Sequence, residues 1–155
     1  MRHGIWILCL ACLGGMALAP AAAVAPVPRE ERVEQDARME AAARQVAALV
    51  DARRTGEVWE GASPVAVRHL ARESFITGVD RDRQRLGPLV SRGQASVSRV
   101  RFGEGAVVPA GLYINISFAS RFSHSAQPVR ELVSFRLDED GVWRVSGYSV
   151  RAVGQ

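Results

Sequence analysis

The sequence predicts an α+β fold, with N-terminal helices packed on a four-stranded antiparallel sheet that the chain forms afterwards. Three observations predict it. Residues 30–86 have helical composition and spacing, and after Gly93 the pattern turns to the period-two alternation of half-buried strands. An acidic turn, Asp138-Glu139-Asp140, then leads into Gly141-Val142-Trp143-Arg144-Val145-Ser146-Gly147-Tyr148, which alternates bulky and polar residues as a closing hairpin strand does.

The first helix is expected over 30–54. Glu30, Glu31, Glu34 and Asp36 suit the positive end of a helix dipole, Arg53-Arg54 suit the other, and Gly56 reads as the stop. Its apolar stripe is modest and rich in alanine (Val33, Ala37, Val46, Ala47, Leu49, Val50), which implies close packing on what lies beneath. Ser63-Pro64 reads as an N-cap with proline at the first helical position and opens a second helix through Val65 to Glu73. Ser74 is expected to cap a third, Phe75 to Arg85, which ends before Gly87-Pro88 with Val79 and Leu86 facing inward.

Strands are expected over Ala95–Phe102, Gly111–Phe122, Val129–Leu137 and Val142–Arg151. In the second, Leu112, Ile114, Ile116 and Phe118 share one face, and Tyr113, Asn115, Ser117 and Ala119 the other. A three-residue loop with Gly141 in the left-handed position sets the last hairpin: Leu137 opposite Trp143, Phe135 opposite Val145 and Val133 opposite Gly147. Shorter or longer loops would move Trp143 and Val145 away from the face of Leu137 and Phe135. This register puts Glu131 on the apolar face, opposite Ser149. On the other face it sets Arg136 across from Arg144, with Arg130 and Tyr148 nearby, so either acids or an anion must neutralise two opposed arginines.

The 155-residue chain begins with Met1-Arg2-His3, an apolar run Ile5–Leu13 and a string of alanines. That order is a secretory signal peptide over residues 1–23, cleaved after Ala23, followed by a flexible mature terminus over 24–29 and a single α+β domain over 30–151. The apolar run is too short for a bilayer span, so no stable membrane span is expected after cleavage. Cys12 follows Cys9-Leu10-Ala11, a poor fit to a lipoprotein signal, and lipid anchoring there is not expected. The expected location is periplasmic or secreted. Both cysteines, Cys9 and Cys12, fall in the leader, so the mature chain would have neither disulfide nor thiolate metal ligand. All 20 basic residues are arginine, against 16 acids, and they are spread along the chain. No polybasic block marks a nucleic-acid or membrane partner.

An ordered set of short segments carries a family resemblance. Val50-Asp51 and Trp59 come first, then Arg83-Gln84-Arg85-Leu86-Gly87 with Ser91-Arg92, then Gly111-Leu112-Tyr113, Phe122 and Glu131. The closing Gly141–Tyr148 segment and Arg151 complete it. In this order they resemble the bacterial domain-of-unknown-function family 4019, small exported proteins of Gram-negative bacteria. The resemblance departs at Val58, where the family tends to have serine, and at Phe75-Ile76, where tryptophan is more usual. It implies helices against a curved sheet, a cone of the nuclear-transport-factor-like or cystatin-like kind, and no established activity.

Glu131 is the sharpest single residue, because an acid between Val129 and Val133 on a buried face needs a partner, with Arg151, Arg83 or Arg92 available. The first functional reading is a non-enzymatic periplasmic domain that binds a small ligand or an envelope protein, with Arg130, Arg136, Arg144 and Tyr148 as ligand-binding candidates. The alternative is an acid–base enzyme using a cone pocket, with Glu131 as base and Tyr113 or His124 assisting. A homodimer joined through an exposed sheet face is the third. His69 and His124 stand apart from any ligand-spaced cluster, and no glycine loop precedes a helix, so neither a metal nor a cofactor is expected.

Overall fold

The computed structural model of the chain describes residues 28–152. The expected leader 1–23, with Cys9 and Cys12, and most of the expected flexible segment 24–29 lie outside the described residues. The order of elements is α1 (Arg29–Asp51), α2 (Thr55–Glu60), α3 (Pro64–Val67), α4 (Arg72–Leu86), β1 (Leu89–Phe102), β2 (Gly111–Phe122), β3 (Val129–Leu137) and β4 (Trp143–Ala152). The four strands form one open antiparallel sheet in sequence order, so the fold is α+β as expected. No described helix is long and apolar enough to cross a membrane.

The helices depart from expectation at their ends. α1 begins with Glu30 and Glu31 in its first turn but stops at Asp51, short of Arg54. Arg53 takes the left-handed conformation, φ 57°. The Arg53 N–H donates to the Val50 carbonyl and the Arg54 N–H to the Leu49 carbonyl, the paired bonds of a Schellman close. Glycine usually occupies that position; here Gly56 falls inside α2, a short helix the sequence reading lacked. Ser63 caps α3 as expected, accepting from the Val65 N–H at 3.2 Å. However, α3 ends after one turn, and α4 starts at Arg72, leaving Ser74 exposed within the helix rather than capping it. The cause is an anchor: Ala62 pairs with Val145, and the Ser63 N–H donates to the Val145 carbonyl at 2.7 Å. That fixes α3 against the edge of β4, and a new helix is needed to lay Phe75 and Val79 on the sheet.

One face of the sheet carries the core. Ile114, Ile116 and Phe118 on β2, Val133 and Phe135 on β3, and Val145 and Tyr148 on β4 pack against Met39, Ala43, Val46 and Val50 of α1 and Phe75 and Val79 of α4. Ala43 and Ala47 have no exposed surface, so the small side chains of α1 do let it approach the sheet closely. Strands β2 and β3 keep their expected bounds. β1 starts at Leu89 rather than Ala95, carried past Gly93 by register shifts between Leu89 and Ser91 and between Arg92 and Ala95.

The β3–β4 hairpin holds the expected register for Leu137↔Trp143, Arg136↔Arg144 and Phe135↔Val145, and then slips. Ser146 is an extra residue, so Ser134 pairs with Gly147, Val133 with Tyr148 and Glu131 with Val150, in place of the expected Val133–Gly147 and Glu131–Ser149 pairs. The physical reason lies in the two residues that compete for the core. Unbulged, β4 would point Gly147 inward and the Tyr148 ring toward solvent; one inserted residue reverses this at the cost of a local ladder defect. At the turn, the Asp138 N–H donates to the Val142 carbonyl at 3.0 Å and Gly141 sits at φ 78°, as the three-residue loop requires. A side chain at 141 would meet no neighbour within 4 Å, so Gly141→Ala tests the backbone alone. It should lower stability by about 1 kcal/mol in chemical denaturation.

Candidate functional site

Glu131 is the most buried charge in the structure's core face, with no exposed surface. The slip in β4 and the bulges in β1 bring four donor groups to it. Arg92, on β1 opposite Ser120, donates through Nε to Oε2 at 2.6 Å and through Nη2 to Oε1 at 2.9 Å. The Ser120 hydroxyl donates to Oε2 at 2.6 Å and the Tyr148 hydroxyl to Oε1 at 2.7 Å. Asp51 at the end of α1 extends the network: it accepts from Arg92 Nη2 at 3.0 Å and from Arg83 Nη2, on α4, at 2.6 Å. The Arg83 guanidinium lies 4.0 Å from the Phe122 ring centre. Both long helices and all four strands thus contribute a group.

Burial alone would push the Glu131 carboxyl above its ordinary pKa. The hydrogen bonds from Arg92, Ser120 and Tyr148, with the charge of Arg92, outweigh burial and hold it below that value. Tyr148 moves the other way, raised by burial and then by the carboxylate it faces. A carboxylate that is ionised, fully coordinated and closed to solvent has the geometry of a structural ion pair. Of the three partners named from sequence, Arg92 is the one that pairs, and it comes from a strand, not a helix.

The other expected site residues do not assemble. Tyr113 faces the opposite side of the sheet from Glu131, its hydroxyl donating to the Pro109 carbonyl at 2.8 Å. His124 is exposed in the β2–β3 connection. Tyr148, expected beside Arg136 and Arg144, lies on the core face because of the inserted Ser146. Arg136 and Arg144 are opposed as expected, and acids neutralise them. Asp138 accepts from Arg136 Nη1 at 2.9 Å and from Arg144 Nη1 at 3.0 Å. The Ser63 hydroxyl donates to the same carboxylate at 2.6 Å, tying the α3 cap to the hairpin. Burial would raise Asp138, but Ser63, Arg144 and Arg136 together hold its pKa below the ordinary value. Asp140 is drawn down to about 2, first by Arg144 and then by the Val142 N–H. Arg136 also donates to Glu139 and to the Ala110 carbonyl, while Arg130 is exposed on β3. Among the described residues no cluster of His, Asp and Glu has the arrangement to hold a metal.

A cavity of about 440 Å³ lies beside the β4 bulge, and Glu131 is not among its lining residues. Leu132, Ser134 and Gly147 of the sheet line it, together with Ala66 of α3 and the neighbouring His69. Val107, Val108 and Pro109 of the β1–β2 loop, held by the Tyr113 hydroxyl, form another wall. Ser146, the inserted residue, lines the cavity with its Oγ buried and without a hydrogen-bond partner among the described residues. Tyr113, a candidate from the sequence, lines this cavity, but Ser146 and the surrounding wall were not expected, since the signal for them was Gly147 standing where a core strand should carry a bulky residue.

The family model described as "Protein of unknown function (DUF4019)" matches residues 42–148. The chain belongs to this family. No curated protein and no solved structure matches it. The positions that carry the DUF4019 resemblance converge in the network: Asp51, Arg83, Arg92, Phe122, Glu131 and Tyr148 are far apart in the chain and are joined in one chain of contacts.

Glu131→Gln should lower stability by about 3 kcal/mol, since it breaks a buried ion pair and leaves the Arg92 guanidinium with only the Asp51 it shares with Arg83. Folding depresses the Glu131 pKa from 4.5, so its contribution is complete above that pH and is lost as pH falls through the lower folded-state value. Urea denaturation across that acid range should therefore show a steep loss of stability in the native protein and a shallower one in Glu131→Gln. Equal slopes would mean that Glu131 is not the group being titrated.

Proposed function

We propose that this DUF4019 domain is exported to the periplasm of a Gram-negative bacterium and binds a small, neutral, mostly apolar molecule in the cavity beside the β4 bulge. The supporting observation is the buried, partnerless hydroxyl of Ser146 in a wall that is otherwise largely apolar. Its volume lies within the range of small-molecule sites, and such sites combine apolar walls with a few placed polar groups. A buried hydroxyl without a partner is destabilising by about 1–3 kcal/mol, a deficit that a ligand carbonyl or hydroxyl would remove. The leader sequence supports export. Neutrality follows from the lining, which contains no carboxylate, arginine or lysine.

Acid–base catalysis has weaker support. Glu131 keeps every oxygen engaged in the core and is not part of the cavity wall, nor is His124, while Tyr113 lines the cavity with its hydroxyl committed to the Pro109 carbonyl.

A neutral fluorescent probe, N-phenyl-naphthylamine, tests the reading. Its emission should rise saturably with the native protein. Gly147→Val should abolish that rise while leaving the melting temperature close to native, because a β-carbon at 147 meets nothing within 4 Å and valine suits a strand. Probe binding of native affinity in a folded Gly147→Val protein would sink the proposal.

A further inference from the structure

We propose a second site, in the cleft between the end of α1, the end of α4 and the β2–β3 connection, that binds a small singly charged oxyanion of the carboxylate class. The cleft holds about 440 Å³ and is lined by Asp51, Arg53, Asp80, Arg83, Gln84 and His124, among others. It is separate from the cavity beside the bulge and does not depend on that reading.

Arg83 carries the argument. Its side chain is 9% exposed, Nη2 is committed to Asp51, and Nε and Nη1 are buried with no partner among the described residues. The Phe122 ring covers one face of the guanidinium, but the in-plane N–H groups need acceptors that a ring face does not supply. Arg92, which shares Asp51 with it, shows what a purely structural arginine looks like here: Nε and Nη2 are both bound to Glu131. The other buried arginine with a partnerless Nε, Arg136, has that atom 2.9 Å from where a β-carbon of Gly111 would stand, so it is packed against backbone rather than facing a cleft. Arg83 differs from both in combining spare donors with a place on a cavity wall.

Two further groups point the same way. Arg53 lines the cleft from a left-handed backbone conformation that glycine would adopt without strain, and its side chain has neither an ion pair nor a hydrogen bond among the described residues. His124 adds a polar ring to the lining. The charges already present limit the occupant. Arg83 and Arg92 together balance Asp51 and Glu131, which leaves Arg53 as the added cation of the cleft and Asp80, which accepts from the Thr55 hydroxyl at 2.6 Å, as its second carboxylate. A monoanion can take the spare donors of Arg83 and the charge of Arg53, whereas a dianion would bring a second negative charge beside Asp80 with no further cation to meet it.

The test is a titration of the full-length protein with sodium acetate against chloride at matched ionic strength, followed by the arginine Nε–H resonances. The Arg83 resonance, assigned by its loss in Arg83→Lys, should shift saturably. Arg53→Gly should melt above the native protein, relieved of left-handed strain, yet bind acetate about tenfold more weakly, the loss of one charge-assisted contact. Phosphate should bind less tightly than acetate at a pH where it is doubly charged. The proposal is overturned by the absence of a saturable shift, by phosphate binding as tightly as acetate, or by native acetate affinity in folded Arg83→Lys. Should that variant not fold, native affinity in Arg53→Gly overturns it.

Discussion

Glu131 sits without exposed surface among apolar side chains, where an unpaired carboxylate would be destabilising by several kcal/mol. Much of the rest of the structure answers to that constraint. β1 must reach far enough along β2 to set Arg92 opposite Ser120, which explains why it runs from Leu89 and tolerates register shifts on the way. α1 must end where Asp51 can take the remaining Arg92 donor, and α4 must bring Arg83 to the other oxygen of Asp51. A helix end, a helix and four strands are therefore mutually positioned by charge-assisted contacts, whose geometry is directional in a way that apolar packing is not. An apolar core of the same volume would supply comparable stability but would tolerate more than one seating of α1 on the sheet.

The insertion of Ser146 links this network to the opposite side of the molecule. It turns Tyr148 inward, so that its hydroxyl supplies the fourth contact to Glu131. The same insertion takes Ser146 out of the ladder register and sets it with Gly147 in a cavity wall, where a regular strand would present a packed side chain. Bulges commonly re-aim side chains near functional sites, and here one bulge serves the core and opens the cavity.

Much of this was legible in the sequence. The period-two runs located β2 and β3, and the acidic turn with Gly141 correctly paired Leu137, Arg136 and Phe135 with Trp143, Arg144 and Val145. The burial of Glu131 and its need for an arginine also followed from its neighbours Val129 and Val133. What the pattern could not show was the slip two residues later, because Gly147 carries no side chain by which to judge its face. The end of α1 was misread for a related reason: Gly56 looked like the stop, and nothing in Arg53 announces a left-handed residue. The cavity beside the bulge and the cleft at Arg83 were illegible, since each is made by segments that meet only after the helices dock.

The distribution of polar groups separates stability from surface chemistry. Glu131 and Asp138 each use their carboxylate to join elements distant in sequence: Asp138 ties the α3 cap to the last hairpin, and Glu131 ties β1 to β4. Between these two clamps, the bulge side of the cavity contributes little to either. Ser146 has no hydrogen-bond partner to lose and Gly147 no side chain, while the Val107–Pro109 wall is held through a single tyrosine bond to backbone. Regions with few buried contacts open at low free energy, whereas charge-paired cores open only with the whole domain. A fold arranged in this way can change the side chains at the bulge without disturbing its clamps, and the DUF4019 positions fall on both: Arg92, Glu131 and Tyr148 in the Glu131 clamp, Trp59, Tyr113 and Gly147 in the cavity wall.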